Sequence, residues 1–286
     1  MDVMTNKETS GHALGEETRD SAAVVSRGAE TGALTRGLQL LAVMSDASRP
    51  LSLSEIAEAS GIAASTTHRL LHTLSQCEQV YKNAQGRYCL APRALFPLGL
   101  DHPLQVLRRD AAEMLRELQA RHGPSVLLVA FLGEKRMVVD FAPGAYSVAP
   151  YFDTRISAPA HASVSGKILL ADLPEADRQR LLGDAPYPAR TRHTITTRAA
   201  LDDALAEVEA SGLATNFNEN VMGICAIGAP LVAPSGRAIG AIVLTGPDTF
   251  FGAERRDAIA EDVRRVAHML SAMSMSVRAV ARFLSL

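Results

Sequence analysis

Apolar residues recur at three- and four-residue spacing in the first part of the chain, which predicts amphipathic helices. Three such series lie between residues 31 and 74: Leu38, Leu41 and Ala42; Leu53, Ile56 and Ala57; Ile62, Leu70, Leu71 and Leu74. The second series follows Ser52, and Glu55 completes a capping box, a helix-start pattern. Segments 79–82 and 87–90 flank a turn at 83–86 and predict a β-hairpin. Three helices followed by a hairpin is the order of a winged helix.

A different pattern follows residue 98, where proline and glycine interrupt the chain before helical spacing restarts at Leu104. Apolar segments joined by turns then predict two antiparallel strand pairs, 125–131 with 136–141 and 227–232 with 238–245. Helical patterns cover 165–171 and 198–211. We therefore expect an antiparallel sheet covered by helices, which is an α+β domain.

The apolar residues from Ile259 to Leu284 alternate between four- and three-residue spacing, which predicts one long terminal helix. The same spacing is typical of a coiled-coil seam, whose flanking positions are charged. Because the flanking positions here are not consistently charged, we expect this helix to pack against the sheet of its own domain. A coiled coil is the alternative.

Composition sets the domain plan. The 286 residues, 47% hydrophobic and 21% charged, are typical of a soluble globular protein of about two domains. Residues 1–30 are acidic and lack an apolar period, so we expect a disordered tail. We place the winged helix at 31–98, a linker and connecting helix at 99–112, and the second domain at 113–286.

The sequence has no apolar run of the roughly 18 residues that a membrane span needs, and no secretory start. Its 3 cysteines form neither a metal-binding nor a disulfide pattern. A reducing cytoplasm is therefore the expected compartment. The net charge of −2 indicates that any nucleic-acid site is a local patch.

Segment 53–74 has the features of a helix-turn-helix: small Ala57 at a helix crossing, Gly61 at the turn, and apolar anchors under the second helix. Hydroxyl and basic side chains near the start of this second helix can reach phosphates or base edges. The candidate DNA contacts are Arg36, Ser65, Thr66, Thr67, His68, Arg69, Lys82 and Arg87. A helical hairpin with a solvated polar face is the alternative, and the predicted wing disfavours it.

Several segments together resemble the IclR family of bacterial transcriptional regulators. Those in the first domain are 35–41, 53–74 and 86–90; those in the second are 159–171, 218–230 and 240–247. The resemblance implies a winged helix-turn-helix joined by a linker helix to a GAF-like effector-binding and oligomerisation domain. It implies that a homodimer or dimer of dimers binds a palindromic operator, which is double-stranded DNA of a catabolic operon. It also implies that a small organic or aromatic acid, or a related metabolite, controls this binding.

The resemblance also implies an effector pocket in the second domain. Matched residue by residue, the floor of the pocket falls on Asn216, Ala226, Val243 and Thr245. The pocket also includes Gly166 and an apolar wall of Val148, Tyr151 and Phe152. Two of the four floor positions are apolar, which favours a ligand with a partly apolar body. The sequence departs from the family pattern at Ala63-Ala64, which replace a usual Pro-Lys pair, and at Asn218, which replaces the first acid of a usual pair.

Other chemistry is weakly supported. His68 and His72 lie four residues apart but lack a third metal ligand, and Cys225 has no neighbouring histidine in the sequence. His161 and Ser163 lack a nucleophile elbow. We therefore expect a regulator with no catalytic activity, cofactor or metal. The alternatives are a hydrolase or acyltransferase with an accessory helix-turn-helix, and an oligomerisation module, which leaves the wing unexplained.

Overall fold

The computed structural model describes residues 32–91, 94, 99–144, 156 and 158–286, which form two compact units divided at Gly99. The predicted tail and residues 92, 93 and 95–98 lie outside the described residues. The elements of the first unit are α1 (Ala33–Ser45), α2 (Leu53–Ser60), α3 (Ala64–Gln76), β1 (Val80–Lys82) and β2 (Tyr88–Leu90). The predicted order of three helices and a hairpin is confirmed.

Local signals in the sequence set the helix-turn-helix. Ser52 accepts a hydrogen bond from the backbone of Glu55, and the Glu55 carboxylate accepts one from the backbone of Ser52, so the predicted capping box is present. Gly61 ends α2 with φ of 68°, a left-handed conformation that costs glycine little. Leu40, Ile56 and other apolar side chains fill the core between the three helices and the hairpin.

The second unit is a five-stranded antiparallel sheet with helices on both faces. Its elements are α4 (Pro103–His122), β3 (Ser125–Leu132), β4 (Lys135–Ala142), α5 (Val164–Asp172), α6 (Glu175–Leu182), α7 (Arg198–Ser211), β5 (Ala214–Phe217), β6 (Ile224–Val232), β7 (Ala238–Pro247), α8 (Ala253–Met273) and α9 (Met275–Phe283). The strand order is β4-β3-β7-β6-β5. The α+β prediction is confirmed, and α6 and β5 are additions to it.

Helix α4 packs on the core of the second unit over its whole length, through buried residues from Leu107 to Leu118. The boundary predicted between residues 112 and 113 falls inside this helix. At its C-terminal end, His122 Nε2 lies 2.9 Å from Asp262 Oδ2, and Arg121 Nη1 lies 3.0 Å from the same oxygen. These contacts join α4 to α8.

The prediction of one long terminal helix is wrong, because the helix breaks at Ser274. Ser274 has extended backbone angles and accepts a hydrogen bond from the backbone N–H of Ser276, so it ends α8 and caps α9. Both serine hydroxyls lie close to Asp110 of α4, at 2.6 Å and 2.7 Å from its Oδ2. The apolar spacing continues across the break, because α8 and α9 both pack on the same core. The prediction that this segment packs within its own domain is confirmed.

Candidate DNA-contacting surface and effector site

The start of α3 presents polar side chains on the surface of the first unit. Ser65, His68 and Arg69 are exposed, and Thr66 is half-buried. Ala63 occupies the N-cap of α3 and provides no side-chain cap, so the first backbone N–H groups of the helix are uncapped. Uncapped N–H groups at a helix start bind phosphate well. This surface can therefore contact a DNA backbone and base edges together.

Thr67 corrects the predicted set of DNA contacts. Its exposed fraction is 0%, and its Oγ1 donates a hydrogen bond to the carbonyl of Ile62 at 3.1 Å. The side chain thus faces the core beside Leu70 and Leu71 and holds the turn before α3. It is a structural residue and cannot reach a base.

Arg87, next to β2 of the hairpin, belongs to an ion-pair cluster with Glu55 of α2 and with Arg49, which precedes α2. Glu55 Oε1 lies 2.7 Å from Arg49 Nη2, and Glu55 Oε2 lies 2.9 Å from Arg87 Nη1. The hydrogen bond from Arg49 and those from Ser52 lower the pKa of Glu55 to about 2, so the carboxylate is charged at neutral pH. Lys82 is exposed, with its Nζ 5.4 Å from the centre of the Tyr88 ring.

Arg36, the remaining candidate of the first unit, is half-buried on α1. The structure thus displays Ser65, His68, Arg69 and Lys82 on the surface, half-buries Thr66 and Arg36, and holds Arg87 against Glu55. Sequence reasoning did not single out the contribution of Arg49 to that cluster.

The sheet brings together the four floor residues that the resemblance indicated in the second unit. Asn216 pairs with Ala226, and Ala226 pairs with Thr245, so these three residues form one row across β5, β6 and β7. Val243 lies two residues from Thr245 on the same strand and therefore on the same face. All four side chains are buried on this face, which α5 covers.

The polar members of this group already have partners in the protein. The Asn216 amide donates to the carbonyl of Ala162 at 2.8 Å and accepts from the backbone N–H of Glu219 at 2.9 Å. Thr245 Oγ1 donates to the carbonyl of Cys225 at 3.2 Å. Asn216 therefore fixes the segment before α5 and the loop after β5.

Two close contacts explain small residues around α5. A Cβ on Gly166 would lie 2.2 Å from the carbonyl oxygen of Ala160, and a Cβ on Gly228 would lie 2.6 Å from Val164 Cγ1. Packing alone accounts for the glycine at position 166. The proposed apolar wall, Val148, Tyr151 and Phe152, lies outside the described residues.

Charged groups around α5 are the part of the site that sequence reasoning missed. Lys167 Nζ lies 2.7 Å from Glu219 Oε1 and donates to the Thr215 carbonyl at 2.9 Å, and both members of the pair are buried. Arg136 of β4 is buried as well, and burial lowers its pKa to about 10. His161 stacks on Tyr187, and burial lowers the pKa of this imidazole.

These contacts define a class: a winged helix-turn-helix with an exposed recognition helix, followed in the chain by an α+β unit with a polar site under a helix. A ligand-responsive, DNA-binding regulator is built in this way. Within the described residues, no helix is both long and apolar enough to span a membrane.

Comparison with protein families agrees with this class. Residues 33–84 match the IclR helix-turn-helix domain, and residues 104–272 match the bacterial transcriptional regulator IclR C-terminal domain. The chain belongs to the IclR family of bacterial transcriptional regulators, with a DNA-binding domain and an effector-binding domain.

Individual relatives are similar over most of the chain. The probable transcriptional regulator SauR of Cupriavidus necator is 31% identical over 216 residues, 75% of this chain and 86% of that protein. The regulator XynR of Escherichia coli is 30% identical, covering 73% of this chain and 84% of XynR.

Solved structures share the fold. The Thermotoga maritima IclR has a TM-score of 0.68 at 22% identity, covering 83% of this chain and 96% of that one. An IclR homolog of Microbacterium hydrocarbonoxydans, in complex with 4-hydroxybenzoate, has a TM-score of 0.63 at 21% identity, covering 88% and 100%.

Proposed function

We propose that this regulator binds a palindromic operator as a homodimer or dimer of dimers and changes its DNA affinity when a small organic or aromatic acid binds the second unit. The observation that carries the DNA-binding part is the exposed, uncapped start of α3 with Ser65, His68 and Arg69. The regulator acts in the cytoplasm, where its DNA lies. It controls genes whose products break down compounds of the effector class. It acts by binding, without catalysing a reaction.

The DNA-binding proposal is tested with duplexes selected from a random pool by the wild-type protein. A two-fold symmetric protein selects an inverted repeat, with half-sites about one helical turn apart or a multiple of it. Arg69→Ala should weaken binding to the selected duplex by about 1–3 kcal/mol if Arg69 contacts a base, and relax preference at one position. Arg180→Ala, which removes an exposed arginine of the second unit, is the matched control and should leave DNA affinity unchanged. Unchanged affinity of a folded Arg69→Ala protein would remove Arg69 from the interface.

The effector proposal rests on the row of Asn216, Ala226 and Thr245 beside Val243. Apolar side chains at two of these four positions favour a ligand with an apolar body. The Microbacterium homolog, which shares the fold, was solved with an aromatic acid bound. An aromatic monocarboxylic acid is therefore our first candidate for the effector.

A thermal-shift screen of organic and aromatic acids tests this site. Thr245→Val should weaken effector binding, because it removes a hydroxyl from the closed site. Val243→Ser should shift preference toward smaller and more polar acids. Both variants should still bind DNA without effector. An unchanged ligand profile in both would place the effector elsewhere.

A further inference from the structure

Arg136 is a charged side chain in the interior of the second unit. It is 7% exposed, pairs with Phe131 in the sheet, and turns toward the start of α5. Its Nη1 lies 2.5 Å from Ser163 Oγ and 3.5 Å from Ser165 Oγ, and its Nη2 donates to the carbonyl of Ala158. All three acceptors are neutral oxygens.

Among the described residues, the charge of Arg136 therefore has no counter-ion. No carboxylate of the described ranges lies within ion-pair distance of it, and burial lowers its pKa only to about 10, so it is charged at neutral pH. Ser163 is the N-cap of α5, and the positive end of that helix dipole faces the same region. Buried charges are strongly unfavourable unless an opposite charge accompanies them.

Lys167 of α5 is a buried cation like Arg136, but it has a carboxylate as its counter-ion. Lys167 lies 2.7 Å from the Glu219 carboxylate, so the fold supplies its counter-charge. The two cations are similarly buried, at 3% and 7% exposed. In the part of the chain that the structure describes, a carboxylate balances Lys167 and none balances Arg136.

The donors left on Arg136 fit a carboxylate. A guanidinium has five N–H groups. The contacts with Ser163, Ser165 and Ala158 use three of them, so Nε–H and one N–H of Nη2 remain. Two N–H groups match the pair of parallel bonds that a carboxylate accepts. The Ser165 hydroxyl, which is buried beside them, can donate a third.

We propose that Arg136, with Ser165, binds the carboxylate group of the effector. This inference rests on the proposed function and names the charge that the effector must carry. It assigns the acidic end of the ligand to β4 and the start of α5. Asn216 lies at the opposite edge of the sheet, on β5. The effector class is therefore a monocarboxylic organic acid, and its uncharged amide is excluded.

The test compares the full-length wild type with Arg136→Met, which keeps an apolar stem and removes the charge. Melting temperature is measured with acetate, benzoate and 4-hydroxybenzoate, and with the amide of each, at constant ionic strength. At least one acid should raise the melting temperature of the wild type, and no amide should. Binding of that acid to Arg136→Met should be about tenfold to a hundredfold weaker. Arg180 is an exposed arginine that pairs with Glu134, and Arg180→Met is the control. Its melting temperature should respond to the acids like that of the wild type.

A second measurement separates binding from a structural role. Without added acid, Arg136→Met should melt at or above the wild type, because the uncompensated buried charge is gone. A lower melting temperature without acid would show that the arginine serves the fold. An equal response of both proteins to the acids, or no response of the wild type, also overturns the proposal. If only Thr245→Val loses the response, the effector proposal stands and the Arg136 proposal fails.

Discussion

The ion pairs of the two units differ in exposure and therefore in what they can do. The side chains of Glu55 and Arg87 in the first unit are 34% and 44% exposed, whereas those of Lys167 and Glu219 in the second are 4% and 10% exposed. An exposed pair contributes little to stability and can exchange one partner for a phosphate. A buried pair cannot be opened without leaving a charge in the interior. The exposed pair of the first unit can thus exchange partners, whereas the buried pair of the second unit is fixed by the fold.

The largest effect is expected from breaking the buried pair. Lys167→Met leaves the Glu219 carboxylate buried without its cation, so it should lower the free energy of unfolding by about 3–5 kcal/mol. Urea denaturation measures this change. The double variant Lys167→Met, Glu219→Leu should recover much of the loss, because no charge is left behind. A loss below about 1 kcal/mol in the single variant would contradict the comparison.

An intermediate effect is expected at Asp262, whose side chain is 15% exposed. Burial alone would raise its pKa, but hydrogen bonds from Arg265, His122 and Arg121 outweigh burial and lower the pKa to about 2 from 3.8. Because the folded pKa is depressed, the stabilisation of about 2 kcal/mol is present above pH of about 4 and is lost as pH falls toward about 2. Denaturation of wild type and Asp262→Asn across this range should show their difference shrinking at low pH. A pH-independent difference would mean that Asp262 acts through packing.

The smallest effect on stability is expected at Glu55. Glu55→Gln keeps the capping box, which accepts glutamine, and releases Arg49 and Arg87 from their ion pairs. Non-specific DNA should then bind a few-fold more tightly, with a salt dependence steeper by about one or two charges. Fluorescence anisotropy with an arbitrary duplex at several salt concentrations measures both. Weaker binding in the variant would show that the cluster itself is needed at the DNA.

Local rules predicted the parts of the fold that depend on neighbouring residues. The capping box of Ser52 and Glu55, the turn at Gly61 and both long strand pairs are visible in the sequence for that reason. Strand β5 was not predicted, because a four-residue edge strand carries too short a period. The break at Ser274 was hidden by apolar spacing that continues through it.

The sites were predicted less completely than the fold. Thr67 was assigned to the DNA surface, although its spacing of three, four and seven residues from Leu70, Leu71 and Leu74 indicates the buried face. Arg136 gave no signal, because its contact with Ser163 joins residues 27 positions apart and only the tertiary fold creates it. Side-chain type predicts chemistry well, but it does not predict which distant side chains the fold brings into contact.

The break at Ser274 also decides how the protein should be handled in the laboratory. Helix α9 returns to cover α4, with Val277, Val280 and Ala281 in the same core as Leu107 and Ala111. A protein truncated after Met273 would expose the apolar side of α4, and a bulky fusion joined directly to α9 would strain the same contact. Affinity tags and fluorescent reporters therefore belong before residue 32.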